Sequence, residues 1–174
     1  MNSMLTKQEL FDLFVNREDV YAVKTKTGIY IPAHKNFTIE NINKHLSAER
    51  CYGIYQLDTD NTVKWICVDV DVKNPSVKEE VFSLAEEFKR ELPVRVFVEE
   101  SNSGFHIWAC YGRKVPAEHA RRVAVELVAR STLPKVEIFP KQTELNENRK
   151  YGNLMNFPYA THPRTGWKNT MVEI

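Results

Sequence analysis

Apolar and polar residues alternate with two different periods along the middle of the chain, and the switches between periods mark the elements. Trp65–Val72 reads WICVDVDV, in which Val68, Val70 and Val72 alternate with Asp69 and Asp71 as on a strand. Ser76–Leu92 moves to helical spacing, with Val77, Val81, Leu84, Ala85 and Phe88 on one stripe and Ser76 as the predicted cap. Val94–Glu100 returns to strict alternation, with Val94, Val96 and Val98 set against Arg95, Phe97 and Glu99. The polar turn Ser101–Gly104 leads into a strand over Phe105–Tyr111. Pro116–Arg130 is a helix with proline in its first turn; Val123, Leu127 and Val128 face inward beside the small residues Ala120 and Ala124. Val136–Phe139 is the next strand.

The order is β-α-β-β-α-β, which predicts an α/β chain of the α+β kind with an RRM-like or ferredoxin-like sheet. By analogy with that fold, its first strand lies between the third and the fourth. The residues before it predict a small N-terminal α/β module. Thr6–Phe14 is a helix with Thr6 as cap and Glu9 three residues on. Val20–Lys24 and Gly28–Pro32 are short strands, and Thr38–Leu46 is a helix with Ile39, Ile42 and Leu46 inward. Cys51–Leu57 and Val63–Val72 are predicted to form a hairpin around Asp58–Asn61. The tail from Lys141 is polar and irregular apart from a short strand over Asn153–Phe157. One domain over residues 1–174 is expected, made of a lead-in module (1–57) and an RRM-like module with its tail (58–174).

Composition narrows the partners more than the fold. The chain has 174 residues, 43% hydrophobic and 27% charged, which excludes disordered and fibrous classes and leaves room for one sizeable core. The net charge is only +1, so a nucleic-acid surface would have to be a local patch. Lys135, Lys141, Arg149, Lys150, Arg164 and Lys168 make the C-terminal stretch basic, where nucleic-acid phosphates would lie if the run is more than a solvated face. Cys51, Cys67 and Cys110 lack pair spacing and read as buried free thiols, against a disulfide framework or a zinc site. MNSMLTKQEL has no signal-peptide core and no stretch is long and apolar enough to span a membrane, so a cytoplasmic protein without a membrane partner is expected. The end at NTMVEI carries no turn signal, as in a piece of a longer chain.

The chemistry is written in parity. In three strands the apolar set suits a helix-covered face, and Asp69 and Asp71, His106, and Glu137 fall on the opposite one. Carboxylates gathered there repel each other, and a hard divalent cation with oxygen ligands removes the conflict. Two such ions about 3.5–4 Å apart can activate a 3′-hydroxyl and steady a leaving pyrophosphate. The turn Ser101–Gly104 offers backbone N–H groups and hydroxyls as an anion nest, and His106 just beyond it can donate to phosphate. Lys141 shares the parity of Glu137 and adds positive charge there. Trp108, on the face of His106, could stack a base, but packing under the lead-in module is the better reading. His34, His45, His119 and His162 read as structural, and Tyr52 and Tyr55 as core or module-interface residues.

These motifs together resemble the archaeo-eukaryotic primase superfamily: Asp69-Val-Asp71, then Ser103-Gly-Phe-His106, then Glu137. The chain is most similar to the primase domains of TOTE-type conflict systems and CRISPR-associated primase-polymerases, through NREDVYA (Asn16–Ala22), YGIYQL (Tyr52–Leu57), EIFPKQ (Glu137–Gln142) and YGNLMNFPY (Tyr151–Tyr159). The resemblance implies a metal-dependent DNA primase-polymerase core. Its catalytic residues would be Asp69, Asp71, Glu137 and His106, with the three carboxylates holding two Mg²⁺ or Mn²⁺ ions. Ser101, Ser103, Gly104, His106, Lys141 and Asn153 would bind the nucleotide. Many relatives place serine where Gly104 stands, so the phosphate-contacting serine stays open between Ser101 and Ser103. No structural zinc is implied, because the cysteine cluster some TOTE-type proteins insert after NREDVYA is missing. The implied partners are DNA template and primer, deoxy- or ribonucleoside triphosphates, and further domains or proteins of CRISPR or conflict systems. A non-catalytic RRM-like nucleic-acid-binding module, and a metal-dependent nuclease or nucleotide cyclase on the same scaffold, are the competing readings.

Overall fold

In the computed structural model, which describes residues 4–174, the alternating segments become two antiparallel sheets. The first three residues of the expected lead-in module lie outside the described ones. The chain runs α1 (Lys7–Phe14), β1 (Tyr21–Lys24), β2 (Tyr30–Ala33), α2 (Ile39–Leu46), β3 (Cys51–Tyr55), β4 (Thr62–Val70), α3 (Pro75–Glu91), β5 (Arg95–Glu100), β6 (Phe105–Pro116), α4 (Ala117–Val128), β7 (Val136–Phe139), β8 (Leu154–Asn156) and β9 (Thr170–Glu173). The central sheet has the order β7-β4-β6-β5-β9, so β4 lies between β6 and β7 as the β-α-β-β-α-β reading expects. A smaller sheet has the order β2-β1-β3-β8.

Parity sorts the core into two layers. Ile66, Val68, Val70, Val96, Val98, Phe105, Ile107 and Ala109 pack with the inner stripes of α3 and α4. The alternate residues Trp65, Cys67, Phe97, Trp108, Cys110 and Phe139 pack under Leu10, Leu13, Phe14, Ile42, Tyr52 and Ile54 of the N-terminal elements. Both tryptophans are fully buried, with ring centroids 4.9 Å apart, and Trp65 Nε1 donates to Phe14 O at 2.9 Å. The face opposite the helices is therefore a second core over most of its length, and Trp108 has no exposed surface on which to stack a base.

Three expectations change. The turn at Asp58–Asn61 does close, Asn61 N donating to Asp58 O at 3.0 Å, but β3 and β4 do not pair as a hairpin. Buried polar side chains separate them: the Asn16 amide donates to Gln56 O (3.1 Å) and Thr62 O (2.8 Å), and Gln56 Nε2 donates to Trp65 O at 2.7 Å. With those backbone groups satisfied, β3 crosses over the central sheet and pairs with β1 and β8. The cap of α3 is Asn74, whose Oδ1 accepts from Val77 N at 2.9 Å; Pro75 fills the first helical position that Ser76 was expected to precede. The tail is less irregular than expected, because besides β8 it supplies β9, which pairs with β5 at the sheet edge. Among the described residues no helix is long and apolar enough to cross a membrane.

Candidate functional site

Strand register places the polar residues in a row. Asp69 on β4 is opposite His106 on β6 and, on its other flank, opposite Glu137 on β7. His106 is in turn opposite Glu99 on β5. Directly paired residues point to the same face, so Glu99, His106, Asp69 and Glu137 cross four strands at one level. Asp71 follows just past the end of β4. The tryptophan layer stops below this row, and there the face opens into two adjoining clefts. One, of about 250 Å³, is lined by Asp69, Asp71, Ser101, Asn102, Ser103, His106, His162 and Asn169 among others. The other, of about 350 Å³, is lined by Asp69, His106, Glu137, Lys141, Asn153, Tyr30 and Asn156 among others. Asp69, His106, Lys24 and Asn156 border both.

The row is electrostatically graded. Glu99 is 1% exposed, and its carboxylate accepts four hydrogen bonds. Its Oε2 takes His106 Nδ1 at 2.8 Å and Trp108 Nε1 at 3.0 Å; its Oε1 takes Tyr159 N at 2.7 Å and Asn169 Nδ2 at 3.2 Å. Burial pushes the Glu99 carboxyl upward, yet these donors and the His106 charge bring it below the ordinary glutamate value. Burial works to lower His106, but Glu99, Asp69 and Asp71 outweigh it and hold the imidazole above its usual value. His106 Nε2 lies 3.4 Å from Asp69 Oδ1. Burial raises the Asp69 carboxyl; His106 opposes the rise, and the Asp71 and Glu137 charges add to it.

The three carboxylates thus share one face and repel one another, which is the arrangement a hard cation would relieve. Their side chains do not close around a point: among the described residues no three Asp, Glu, His or Cys side chains are placed together as a metal site. Glu137 is held instead by Lys141, whose Nζ sits 2.9 Å from its Oε2. The all-oxygen donor set suits Mg²⁺ or Mn²⁺; Cys67 and Cys110 are buried in the tryptophan layer as expected, whereas Cys51, at the start of β3, is only half-buried and borders the first cleft.

The serine-glycine turn abuts the row. Ser101 N donates to Gly104 O at 2.9 Å, and Gly104 N donates to Ser101 Oγ at 3.0 Å, so part of the expected anion nest is closed on itself. Gly104 is demanded by packing: a Cβ there would stand 1.8 Å from Val70 O and 3.2 Å from Asp71 Cα. The turn is thereby pressed against the end of β4, with exposed Ser103 on the first cleft. Asn153 borders the second cleft, and its Oδ1 is buried with no hydrogen-bond partner among the described residues. Ser101 and Ser103 therefore lie on one side of Asp69 and His106, and Lys141 and Asn153 on the other. Of the basic tail, Arg164 donates to Thr27 O at 3.0 Å and Lys168 to Leu46 O at 3.1 Å, while Arg149 and Lys150 are exposed.

Glu99, Lys24, Asn156 and Asn169 escaped the sequence reading. Glu99 carried one usable sign: it shares the parity of Phe97, which faces the tryptophan layer. Lys24, Asn156 and Asn169 come from β1, β8 and the segment before β9, whose placement depends on long-range pairing.

In a comparison with protein families, the family described as "TOTE conflict system, Archaeo-Eukaryotic Primase domain" matches residues 32–173. No curated protein matches the chain.

Proposed function

The chain belongs to the archaeo-eukaryotic primase domain family of TOTE conflict systems, and on that premise we propose that its paired clefts form a primase-polymerase active centre. The reaction would join an incoming nucleoside triphosphate to a 3′-hydroxyl, directed by a DNA template, with release of pyrophosphate. The observation that carries this reading is the register that sets Asp69 between His106 and Glu137 at the mouth of two clefts.

Asp69, Asp71 and Glu137 would hold the divalent ions, Mg²⁺ or Mn²⁺. When bound, such ions neutralise charge developing at the phosphorus and the leaving oxygen. Glu137 has to leave Lys141 to join the aspartates, and that exchange releases Lys141 Nζ toward the triphosphate. His106 presents Nε2 to the clefts beside Asp69, placed to donate to a phosphate oxygen. Ser103 adds a hydroxyl on the first cleft, and Asn153 an unsatisfied carbonyl oxygen on the second. No protein nucleophile is required, because positioning and charge neutralisation carry the catalysis. Exposed Arg149 and Lys150 are the residues we assign to template or primer phosphates.

The test is incubation with a primed DNA template, deoxy- or ribonucleoside triphosphates and Mn²⁺. Primer extension to template length is expected, and Asp71→Ala should abolish it while leaving the circular dichroism spectrum unchanged. Primer degradation, a cyclic nucleotide product, or parental extension by Asp71→Ala would overturn the assignment.

A further inference from the structure

We propose that Glu99 is a positioning residue that fixes the His106 ring edge-on to the clefts and pins the far wall to the same carboxylate. The proposal deepens the polymerase reading and rests on it for its functional consequence. An ionised carboxylate only accepts hydrogen bonds, so the 2.8 Å contact assigns the Nδ1 proton of His106 to Glu99 and leaves Nε2 as the edge facing Asp69. Trp108 Nε1 donates to the same oxygen, and Trp108 is immobilised against Trp65 and Phe14 at centroid distances of 4.9 and 5.3 Å. Rotation of the carboxylate would therefore break a contact anchored in the rigid core. The second oxygen reaches the other way, to Tyr159 N and Asn169 Nδ2, and Asn169 borders the first cleft.

Glu99 touches neither cleft itself and is nearly without exposed surface. A carboxylate buried so deeply is costly unless it is bonded, and here each oxygen joins one residue bordering a cleft, His106 or Asn169, to one that does not, Trp108 or Tyr159. It orients the imidazole as an outer partner orients a ligating histidine.

The imidazole ¹H–¹⁵N spectrum of the metal-free, nucleotide-free protein tests the geometry apart from any activity. His106 is expected to show an exchange-protected Nδ1 proton, and Glu99→Ala, which removes the acceptor, should lose that protection while the circular dichroism spectrum shows the fold kept. A parental His106 without an Nδ1 proton overturns the proposal whether or not the variant folds. So does a folded Glu99→Ala that keeps the protected signal. Primer extension then supplies the functional half. Glu99→Ala should raise the nucleoside triphosphate KM by about 10–100-fold, and its effect in a His106→Ala background should be much smaller, what remains being its hold on Tyr159 and Asn169. A Glu99→Ala loss undiminished by His106→Ala would mean that Glu99 does not act through His106, and would overturn the proposal. If no variant or parent extends primers but the Nδ1 signal behaves as expected, the polymerase reading fails and the positioning geometry stands.

Discussion

Two histidines lie almost without exposed surface, 1% at His45 and 7% at His106, and the protein treats them in opposite ways. His45, on α2, sits among neutral backbone groups: Nε2 donates to Phe157 O and Pro158 O at 3.1 and 3.0 Å, and Nδ1 accepts from Tyr52 N at 3.1 Å. Burial drives its pKa down to about 4, and the ring stays neutral as a clasp between α2, β3 and the tail. His106 is gripped by carboxylates on both ring nitrogens, and its value moves up in spite of burial. Depth sets the stakes in both places, but the partners decide the charge. The first reads as a neutral staple, and the second holds its proton more firmly than an ordinary imidazole does.

The largest test of this contrast is to remove the carboxylate on the cleft side of His106. Asp69→Ala should reduce primer extension by about a thousandfold or more, the several kcal/mol associated with metal-assisted charge stabilisation, while urea unfolding remains cooperative. The second concerns acid. With a folded-state value of about 4 against 6.5 unfolded, His45 takes its proton first in the unfolded chain as pH falls. Stability should therefore be lost from pH 6.5 downward and level off below 4, about 3 kcal/mol in all from this residue. Urea midpoints at stepped pH would show the loss, and the difference from His45→Gln isolates it from titrating carboxylates. The third is Gly104→Ala, whose added methyl collides with Val70 O. It should cost about 1–3 kcal/mol of stability and depress extension as well, since the turn moves off β4. The smallest is Lys141→Met. Loss of its exposed pair with Glu137 should change stability by less than about 1 kcal/mol, while Mg²⁺ half-saturation falls and the nucleotide KM rises. An unchanged metal requirement would argue that Lys141 does not compete for Glu137.

Much of the contrast was legible before any coordinates, because a strand's two faces alternate strictly. Alternation alone assigned Val68 and Val70 to the helix side and Asp69 to the other, and the structure sorts them so. It also assigned His106 and Glu137 to the face of Asp69. What alternation cannot tell is how deep each position lies. Glu99 and Glu100 are neighbours of one type, yet Glu99 is buried beneath the tail and Glu100 pairs at the surface with Lys73 and Lys78. That difference comes from Tyr159 and Asn169, far away in sequence. The β3–β4 hairpin was misread for a related reason. Its turn chemistry was right, but Asn16 and Gln56 satisfy the backbone that a hairpin would have used. The short strand expected at Asn153–Phe157 is found as β8, whereas the four residues of β9 carry too short a pattern to announce themselves and pair because β5 offers them an edge.

The place of β8 has a consequence for how the molecule is born. On a ribosome, β1, β2 and β3 emerge well before the strand that completes their sheet at Leu154–Asn156, because α3, α4 and most of the central sheet lie between them in the chain. The wall that this strand gives the second cleft is missing until then. A nascent chain can gather its tryptophan layer as it grows, yet the second cleft takes its shape only after Leu154–Asn156 has emerged and docked on β3.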